Sequence, residues 1–254
     1  MLEQSILQNY LDILREELVP ATGCTEPIAI AYCAATLREL LGALPERVDA
    51  AVSGNILKNV KSVVVPNTGG RKGIGPAIAV GLVAGDAARD LQVISAVTEK
   101  QLAELDAYLQ RVEIAVSCSH SPCQLDIDLR GSCGSHTARV RITNHHTNIV
   151  CLERDGEVTL DKRTASAAEE DGGEVPLTLH RVWEFATTAP LDELRFILET
   201  RRLNKAAAEQ AFAGEFGHCL GRTLRCERER KIMGDSIFSR ILSYTSAACD
   251  ARSE

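Results

Sequence analysis

The stretch VPATGCTEPIAIAYCAATLRELL, residues 19–41, decides the fold because it contains a helix that has almost no polar face. Residues 28–41 are mostly Ala, Ile, Leu and Cys, and such a run is stable as a helix only when other elements cover most of its sides. Thr25 is the predicted N-cap, and Pro27 suits the first turn, where its missing N–H would have no partner. The sequence therefore predicts a buried helix that begins near Thr25, with Cys33 in the core.

An amphipathic helix over residues 2–18 precedes this stretch, and Pro20 and Gly23 form a turn between the two helices. Cys24 then stands directly before the N-terminus of the buried helix. Unpaired N–H groups and the helix dipole favour a thiolate at such a position. Cys24 is therefore a candidate nucleophile or metal ligand, and the alternative is a small buried residue in a tight turn.

The next segment predicts strands and a glycine-rich turn. Residues 47–66 show apolar alternation around Gly54 and Asn55, which indicates two strands joined by a turn. Residues 69–75 match neither the P-loop nor the dinucleotide-binding pattern, so a structural turn before a helix near Pro76 is favoured. In the alternative, Arg71 and Lys72 of this loop would bind a carboxylate.

Residues 98–111 predict an amphipathic helix, and alternation and turn residues from 113 onward predict an antiparallel sheet. Residues 161–176 are polar and indicate a surface loop, and the pattern from Leu177 onward is helical again. The predicted fold class is therefore α+β. A mixed or antiparallel sheet is flanked by N-terminal and C-terminal helical segments, and residues 1–254 form a single module.

Charge and composition exclude several classes of protein. The net charge of -7 argues against nucleic-acid binding, which requires a basic face. The amino terminus shows no secretion signal, and no uncharged stretch is long enough for a membrane span, so we expect a cytoplasmic protein that does not bind membranes. Nine cysteines at irregular spacing fit reduced thiols better than a disulfide framework.

Three polar clusters are candidates for function. The segment NILKN, residues 55–59, groups two amides and an ammonium, which bind an amino acid's carboxylate or else form a solvated turn. His145 and His146 would lie on opposite faces of a regular strand, so that one can face a cleft and carry protons near neutral pH while the other is solvated; the alternative is a pair of hydrogen-bonded surface residues. A zinc site is the third candidate, and the irregular spacing favours a strand-connecting loop instead. Its four ligands would be Cys118, Cys123, Cys133 and His136.

Five segments of the sequence resemble, in order, the N-terminal half of the L-cysteine desulfidase family, which is related to the alpha part of iron-dependent L-serine dehydratase. The resemblance extends from about residue 10 to the end, and its most specific parts are the first two segments. The segments are LVPATGCTEPIAIAYCAA at 18–35, which contains GCTEP, VSGNILKNVKSVVVPNTG at 52–69, GIGPAIAVGLVAG at 73–85, HTNIV at 146–150 and TSAACDAR at 245–252.

This resemblance implies a β-elimination that converts L-cysteine into sulfide, ammonia and pyruvate without pyridoxal phosphate. It implies an oxygen-sensitive [4Fe-4S] cluster that is held by three cysteines, and Cys24 matches one of the three. It also implies that Lys58 and His146 are catalytic. The same resemblance places Asn55, Asn59 and Asn148 at the substrate.

The other two cluster cysteines of the family lie in its C-terminal half, and the remaining cysteines of this chain match none of its ligand motifs. The resemblance therefore implies that a C-terminal half or a second subunit completes the enzyme, and a homo-oligomer is a further expectation. Three alternatives stay open. They are an L-serine dehydratase, a non-catalytic amino-acid-binding subunit, and a structural protein that binds zinc through residues 118–136.

Overall fold

The computed structural model describes residues 3–162 and 177–252, so most of the surface loop predicted at 161–176 lies outside the described residues. The helices are α1 (Gln4–Glu17), α2 (Thr25–Leu41), α3 (Gly54–Val60), α4 (Ile74–Ala84), α5 (Glu99–Arg111), α6 (Leu179–Thr188), α7 (Ile197–Ala213), α8 (Leu220–Glu229) and α9 (Ile237–Arg252), with a 3-10 helix at Ala87–Gln92. The strands are β1 (Arg47–Val52), β2 (Glu113–Cys118), β3 (Asp126–Cys133), β4 (His136–Thr143), β5 (Ile149–Arg154) and β6 (Glu157–Asp161). None of the described helices is long and apolar enough to span a bilayer.

The six strands form one sheet in the order β2-β1-β3-β4-β5-β6. β1 and β2 are parallel, and every other pair is antiparallel. The parallel pair arises because the segment that contains α3, α4 and α5 separates the two strands and returns the chain to the same end of the sheet. The predicted α+β class with a mixed sheet is therefore confirmed.

The described residues divide into two compact units. The sheet unit contains residues 21–162 and 251–252, and the helical unit contains residues 3–20 and 177–250. The interpretation of residues 1–254 as a single module stays a prediction.

The core of the sheet unit is built on α2, which packs against β3 and β4 on one side and against α4 on another. Cys33 is fully buried, as predicted, and this burial raises the pKa of its thiol well above the ordinary value. The two helices approach so closely that a Cβ at Gly81 of α4 would overlap the carbonyl oxygen of Ala31 in α2. Arg38 of α2 also donates hydrogen bonds to the carbonyls of Leu82 and Gly85 at the end of α4.

The opposite face of the sheet carries charged side chains, as is common where an antiparallel sheet faces water. Arg139 forms a bidentate ion pair with Asp128 at 2.8 and 2.6 Å. Arg141 forms a second bidentate pair with the buried Asp126 at 2.9 and 3.0 Å, and these hydrogen bonds raise the pKa of the Arg141 guanidinium. Ion pairs between neighbouring strands therefore join β3 to β4.

Two boundaries in the first half of the chain differ from the prediction. Residues 54–60 form the helix α3, whereas alternation predicted a turn between two strands, and residues 63–65 form a single bridge between Val64 and Lys72 instead of a strand. Ser53 caps α3 by accepting a hydrogen bond from the Ile56 N–H, and Ile56 and Val60 are buried at helical spacing. The capping serine and this i, i+4 pair therefore outweighed the turn signal of Gly54 and Asn55.

α2 begins at Thr25 as predicted, but its N-cap residue is Cys24 instead of Thr25, and no side chain of the described residues caps the helix. α4 begins at Ile74, which places Pro76 in its first turn.

Tyr108 in α5 gives the sheet unit a pH dependence in alkaline solution. Its hydroxyl is buried and donates a hydrogen bond of 2.9 Å to the Pro45 carbonyl, and burial raises the pKa of Tyr108 to about 12. The unfolded chain releases this proton near pH 10 whereas the folded chain keeps it, so the free energy of unfolding should fall by about 1.4 kcal/mol per pH unit between pH 10 and 12.

Urea unfolding of the wild type and of Tyr108→Phe gives the free energy of unfolding of each protein at each pH between 9 and 12. The difference between the two profiles is the contribution of the Tyr108 proton. We expect the two profiles to converge above pH 10, because phenylalanine has no proton to lose. Profiles that stay parallel to pH 12 would show that Tyr108 does not contribute.

Candidate functional site

Several segments that the sequence singled out meet at one end of the sheet. The Ser53 N–H, just before α3, donates a hydrogen bond of 2.9 Å to the carbonyl of Asp126 at the start of β3. The Asn144 N–H, just after β4, donates one of 3.1 Å to the carbonyl of Leu125. The start of α3 and the turn between β4 and β5 therefore lie at the same end of the sheet.

The N-terminus of α2 is joined to α3. The side-chain amide of Asn59 donates a hydrogen bond of 3.2 Å to the Glu26 carboxylate, in the first turn of α2. Glu26 lies two residues after Cys24, whose side chain is partly exposed at the N-cap. We refer to Cys24, Glu26, Asn55, Lys58 and Asn59 as the α2–α3 site.

A tight backbone contact fixes the approach to Cys24. Gly23 has a φ of 82°, a left-handed conformation that side chains disfavour. A Cβ at Gly23 would overlap the ring of Pro66 and would lie 3.2 Å from the carbonyl oxygen of Arg252. Glycine is therefore required directly before the cysteine, and it holds the thiol at the helix N-terminus.

The helix α3 groups three of the predicted substrate residues on one face. Asn55, Lys58 and Asn59 are related by steps of three and four residues, and all three are exposed, whereas Ile56 and Val60 on the other side are buried. Among the described residues, no group forms a hydrogen bond or ion pair with the Lys58 ammonium or the Asn55 amide. The face therefore presents one cation and an uncommitted amide to a ligand.

His145 and His146 do not lie in a strand, so the predicted placement on opposite strand faces is wrong. β4 ends at Thr143, β5 begins at Ile149, and residues 144–148 form a tight turn with Asn144 at a φ of 66°. The polar run with asparagine at both ends is the turn signal that the strand interpretation overlooked. His146 is partly buried in this turn.

Asn148 has a structural role in the same turn. Its side-chain amide donates a hydrogen bond of 3.1 Å to the Thr143 carbonyl, and its own carbonyl accepts one of 3.2 Å from the Thr143 N–H. One amide hydrogen of Asn148 is therefore already used to close the turn. The turn itself lies at the same end of the sheet as α3.

The described residues do not bring metal ligands together. They contain no group of three or more His, Cys, Asp or Glu side chains that could hold a metal ion. The predicted zinc ligands are separated, because Cys123 precedes β3 whereas Cys133 and His136 lie at its other end, roughly 25 Å away along eight strand residues.

A [4Fe-4S] cluster held by three cysteines does not fit the described residues by themselves either. Cys24 has the helix N-terminal environment that suits a ligating thiolate, but no second or third ligand accompanies it within 3–162 and 177–252.

Arg71 leaves the set of candidate ligand-binding residues, and Glu26 joins the set of site residues. Arg71 is bound to the Asp106 carboxylate, with Nε to Oδ1 at 2.8 Å, and to the Thr68 carbonyl, so its role is to hold the glycine-rich turn. Glu26 was missed, although an acidic side chain in the first turn of a helix beside Cys24 was visible in the sequence. Its bond to Asn59 could not be inferred, because residues 54–60 were assigned to a turn.

A second polar feature lies on the charged face of the sheet. A groove of about 280 Å³ is lined there by Asp49, Arg130, Gly131, Ser132, Thr137, Ala138, Arg139 and Glu153. Arg130 lies opposite Asp49 in the sheet, but Asp49 is bound by Arg47 at 2.9 Å, and the hydrogen bond from Arg47 lowers the pKa of Asp49. Within the described part of the chain, no carboxylate lies within 4.0 Å of the Arg130 guanidinium.

The chain has relatives among known proteins, but none of the matches is a solved structure. No family model matches the chain, and no solved structure matches it. A UPF0597 protein of Bacteroides thetaiotaomicron is 43% identical over 250 residues, which are 98% of this chain and 58% of that protein. UPF0597 proteins of Porphyromonas gingivalis and Oleidesulfovibrio alaskensis are 37% and 40% identical, and the matches cover 59% and 57% of their lengths.

The chain resembles UPF0597 proteins. The matched regions cover 96–99% of this chain and slightly less than three fifths of the curated relatives. The name UPF0597 states no activity, substrate or cofactor.

Proposed function

We propose that the α2–α3 site is part of the substrate site of a lyase that eliminates sulfide from L-cysteine. The observation that carries the proposal is the exposed polar face of α3, which Asn59 and Glu26 join to the helix N-terminus at Cys24. The resemblance of the GCTEP and NILKN segments to the L-cysteine desulfidase family supports the same assignment.

Lys58 and Asn55 bind the substrate carboxylate in this proposal. An ammonium and an amide that no other described residue binds lose little when they form a charge-assisted hydrogen bond to a carboxylate. Asn59 is held by Glu26 and orients the face, and the turn that contains His146 and Asn148 lies at the same end of the sheet. Asn148 offers its remaining amide hydrogen to the ligand.

The reaction requires a base to remove the Cα proton, and His146 is the proposed proton acceptor. The C–H electron pair forms the Cα–Cβ double bond, the Cβ–S bond breaks, and sulfur leaves as sulfide with the electron pair of the Cβ–S bond. The resulting aminoacrylate takes up water and yields pyruvate and ammonia. L-serine would follow the same course with hydroxide as the leaving group, and the carboxylate contacts proposed here are the same for both amino acids.

Cys24 supplies one thiolate to the proposed [4Fe-4S] cluster, and a second polypeptide segment supplies the other two. We call the part of the Bacteroides thetaiotaomicron relative that lies outside its match to this chain the complementary segment. Chain and complementary segment together, prepared without oxygen, are the material for the assays below. Their association into a higher oligomer is part of the same proposal.

Replacing Lys58 by methionine tests the carboxylate contact. Loss of one charge-assisted bond should raise KM for L-cysteine by about 10-fold to 100-fold and leave kcat nearly unchanged, because the carboxylate takes no part in bond breaking. Pyruvate formation measures both constants in the anaerobic assembly. Lys61→Met is the matched control, because Lys61 is an exposed lysine just after α3. Equal KM values for Lys58→Met and the wild type would remove Lys58 from the site.

A non-catalytic amino-acid-binding subunit is the second candidate, and the groove at Arg130 is the observation that favours it. The Arg130 guanidinium, which no carboxylate of the described residues contacts, suits a carboxylate, and Asp49 and Glu153 in the same groove, which also face Arg47 and Arg139, suit an ammonium. Calorimetric titration with L-cysteine and L-serine distinguishes the two sites. The binding-subunit candidate requires that Arg130→Gln abolishes binding and that Lys58→Met leaves it unchanged. The lyase candidate requires that Lys58→Met weakens binding by about 10-fold to 100-fold and that Arg130→Gln leaves it unchanged.

A further inference from the structure

The helix α9 exposes its large apolar side chains and buries its small polar ones. Ile237, Phe238 and Ile241 are 79%, 73% and 56% exposed, and Leu242 and Tyr244 on the following turn are also exposed. Ser239 and Ser243, by contrast, are 5% and 0% exposed. This arrangement is the inverse of an ordinary amphipathic surface helix, whose apolar stripe faces its own core. We call residues 237, 238, 241, 242 and 244 the α9 apolar face.

The packing of α9 against α8 explains why the small residues face inward. A Cβ at Gly221 of α8 would overlap the backbone of Ala247, so the two helices cross nearly in backbone contact. The Gly221 N–H donates a hydrogen bond of 2.9 Å to the Asp250 carboxylate, and Arg228 donates one of 3.3 Å to the Ser243 hydroxyl. This close crossing has room only for small side chains, and the large ones project on the other side of α9.

The buried side of α9 is closely packed and hydrogen-bonded to α8, so loose packing of the helix does not explain its exposed apolar face. Within the described residues, no buried side-chain nitrogen or oxygen lacks a hydrogen-bond partner. A contiguous set of isoleucine, phenylalanine, leucine and tyrosine side chains in this position is typical of a protein–protein contact.

We propose that the α9 apolar face is the surface on which polypeptide corresponding to the unmatched part of the UPF0597 relatives packs. The chain spans 58% of the Bacteroides thetaiotaomicron relative, so the matched region adjoins a large amount of further polypeptide in that protein. The α9 apolar face extends over about two turns, residues 237–244, and in the relative the additional sequence of the same molecule is the partner available to every copy. Packing on this face concerns the association of two polypeptides, so complex formation tests it and enzyme turnover does not.

The test combines the chain with the complementary segment and measures mass by light scattering and affinity by calorimetry. We expect a one-to-one complex. Phe238→Glu should weaken it by about 30-fold or more, the effect typical of a central aromatic residue at an interface. Val158→Glu is the control, because Val158 is an exposed apolar residue on β6 in the sheet unit. Thermal unfolding of both variants verifies that each remains folded, as expected for substitutions at exposed positions.

Two results would overturn the inference. The first is a chain that forms no complex with the complementary segment, or a complex that Phe238→Glu and Val158→Glu weaken equally. The second is self-association of the chain by itself that Phe238→Glu abolishes, which would show that the α9 apolar face binds a second copy. The calorimetric titration of Lys58→Met with L-cysteine reads a different surface and can be done on the chain without the complementary segment, so its outcome is distinguishable from both results.

Discussion

Replacing Gly81 by alanine should destabilise the sheet unit by about 3 kcal/mol or more. The added Cβ would overlap the carbonyl oxygen of Ala31 and would lie 2.8 Å from the Ala31 Cα, and neither backbone atom can rotate away. Because α2 is also packed against β3 and β4, it cannot retreat from α4 without leaving the sheet. Overpacking between two backbones lies at the upper end of the cost of inserting one methyl group into a core.

Urea unfolding followed by circular dichroism measures this effect, and Gly75→Ala is the matched control in the same helix. A Cβ at Gly75 would meet no atom within 4 Å outside its two chain neighbours, but Pro76 disfavours the helical conformation for a non-glycine residue before it, and this offsets the better helix propensity of alanine. Gly75→Ala should therefore shift the unfolding midpoint far less than Gly81→Ala. Similar midpoints for both would mean that α2 and α4 do not cross at Gly81.

Replacing Cys24 by serine should remove iron from the anaerobic assembly and leave the fold intact. Serine is a preferred N-cap residue, and at present no side chain caps α2, so the helix start should be preserved or stabilised. The serine hydroxyl does not ionise near neutral pH, and the ligand that the helix N-terminus favours is a thiolate. We expect the iron bound per chain to fall by about 10-fold or more.

Iron and acid-labile sulfide are measured on the purified assembly, with Cys226→Ser as the control. Cys226 is an exposed thiol on α8, in the helical unit, so its replacement should leave the iron content unchanged. An equal loss in both variants would indicate non-specific binding by thiols. Retention of iron by Cys24→Ser would exclude this cysteine as a ligand.

Strong helical patterns gave reliable predictions because one feature dominated each of them. α2 was predictable because residues 28–41 have almost no polar face, and its burial follows directly. The helix α5 was predictable from Thr98, which forms a complete capping box with Gln101. The mixed sheet followed from the position of the alternating segments between helical ones.

The candidate site was less predictable because its residues lie in short elements. In α3, Ile56 and Val60 alone signal the helix, and seven residues are too few to outweigh the turn propensity of Gly54 and Asn55. The turn at 144–148 was assigned to a strand because its flanks alternate. The grouping of Asn55, Lys58 and Asn59 on one face therefore became visible only once the helix was known.

The exposure of the α9 apolar face could not be inferred from the sequence. Ile237 and Ile241 are spaced like core residues, and a pattern of apolar positions does not say which side of a helix is covered. The decisive contact is the crossing of α8 and α9 at Gly221, which joins positions 26 residues apart in the chain. Long-range contacts of this kind override local patterning.

The central claim is that the α2–α3 site belongs to a lyase for L-cysteine, and product analysis tests it most directly. The anaerobic assembly of the chain with the complementary segment is incubated with L-cysteine or L-serine, and sulfide, ammonia and pyruvate are quantified. We expect equal amounts of the three products from L-cysteine and at least a 10-fold loss of rate in Cys24→Ser. An assembly that binds its complementary segment and yet forms no pyruvate from either amino acid would contradict the account.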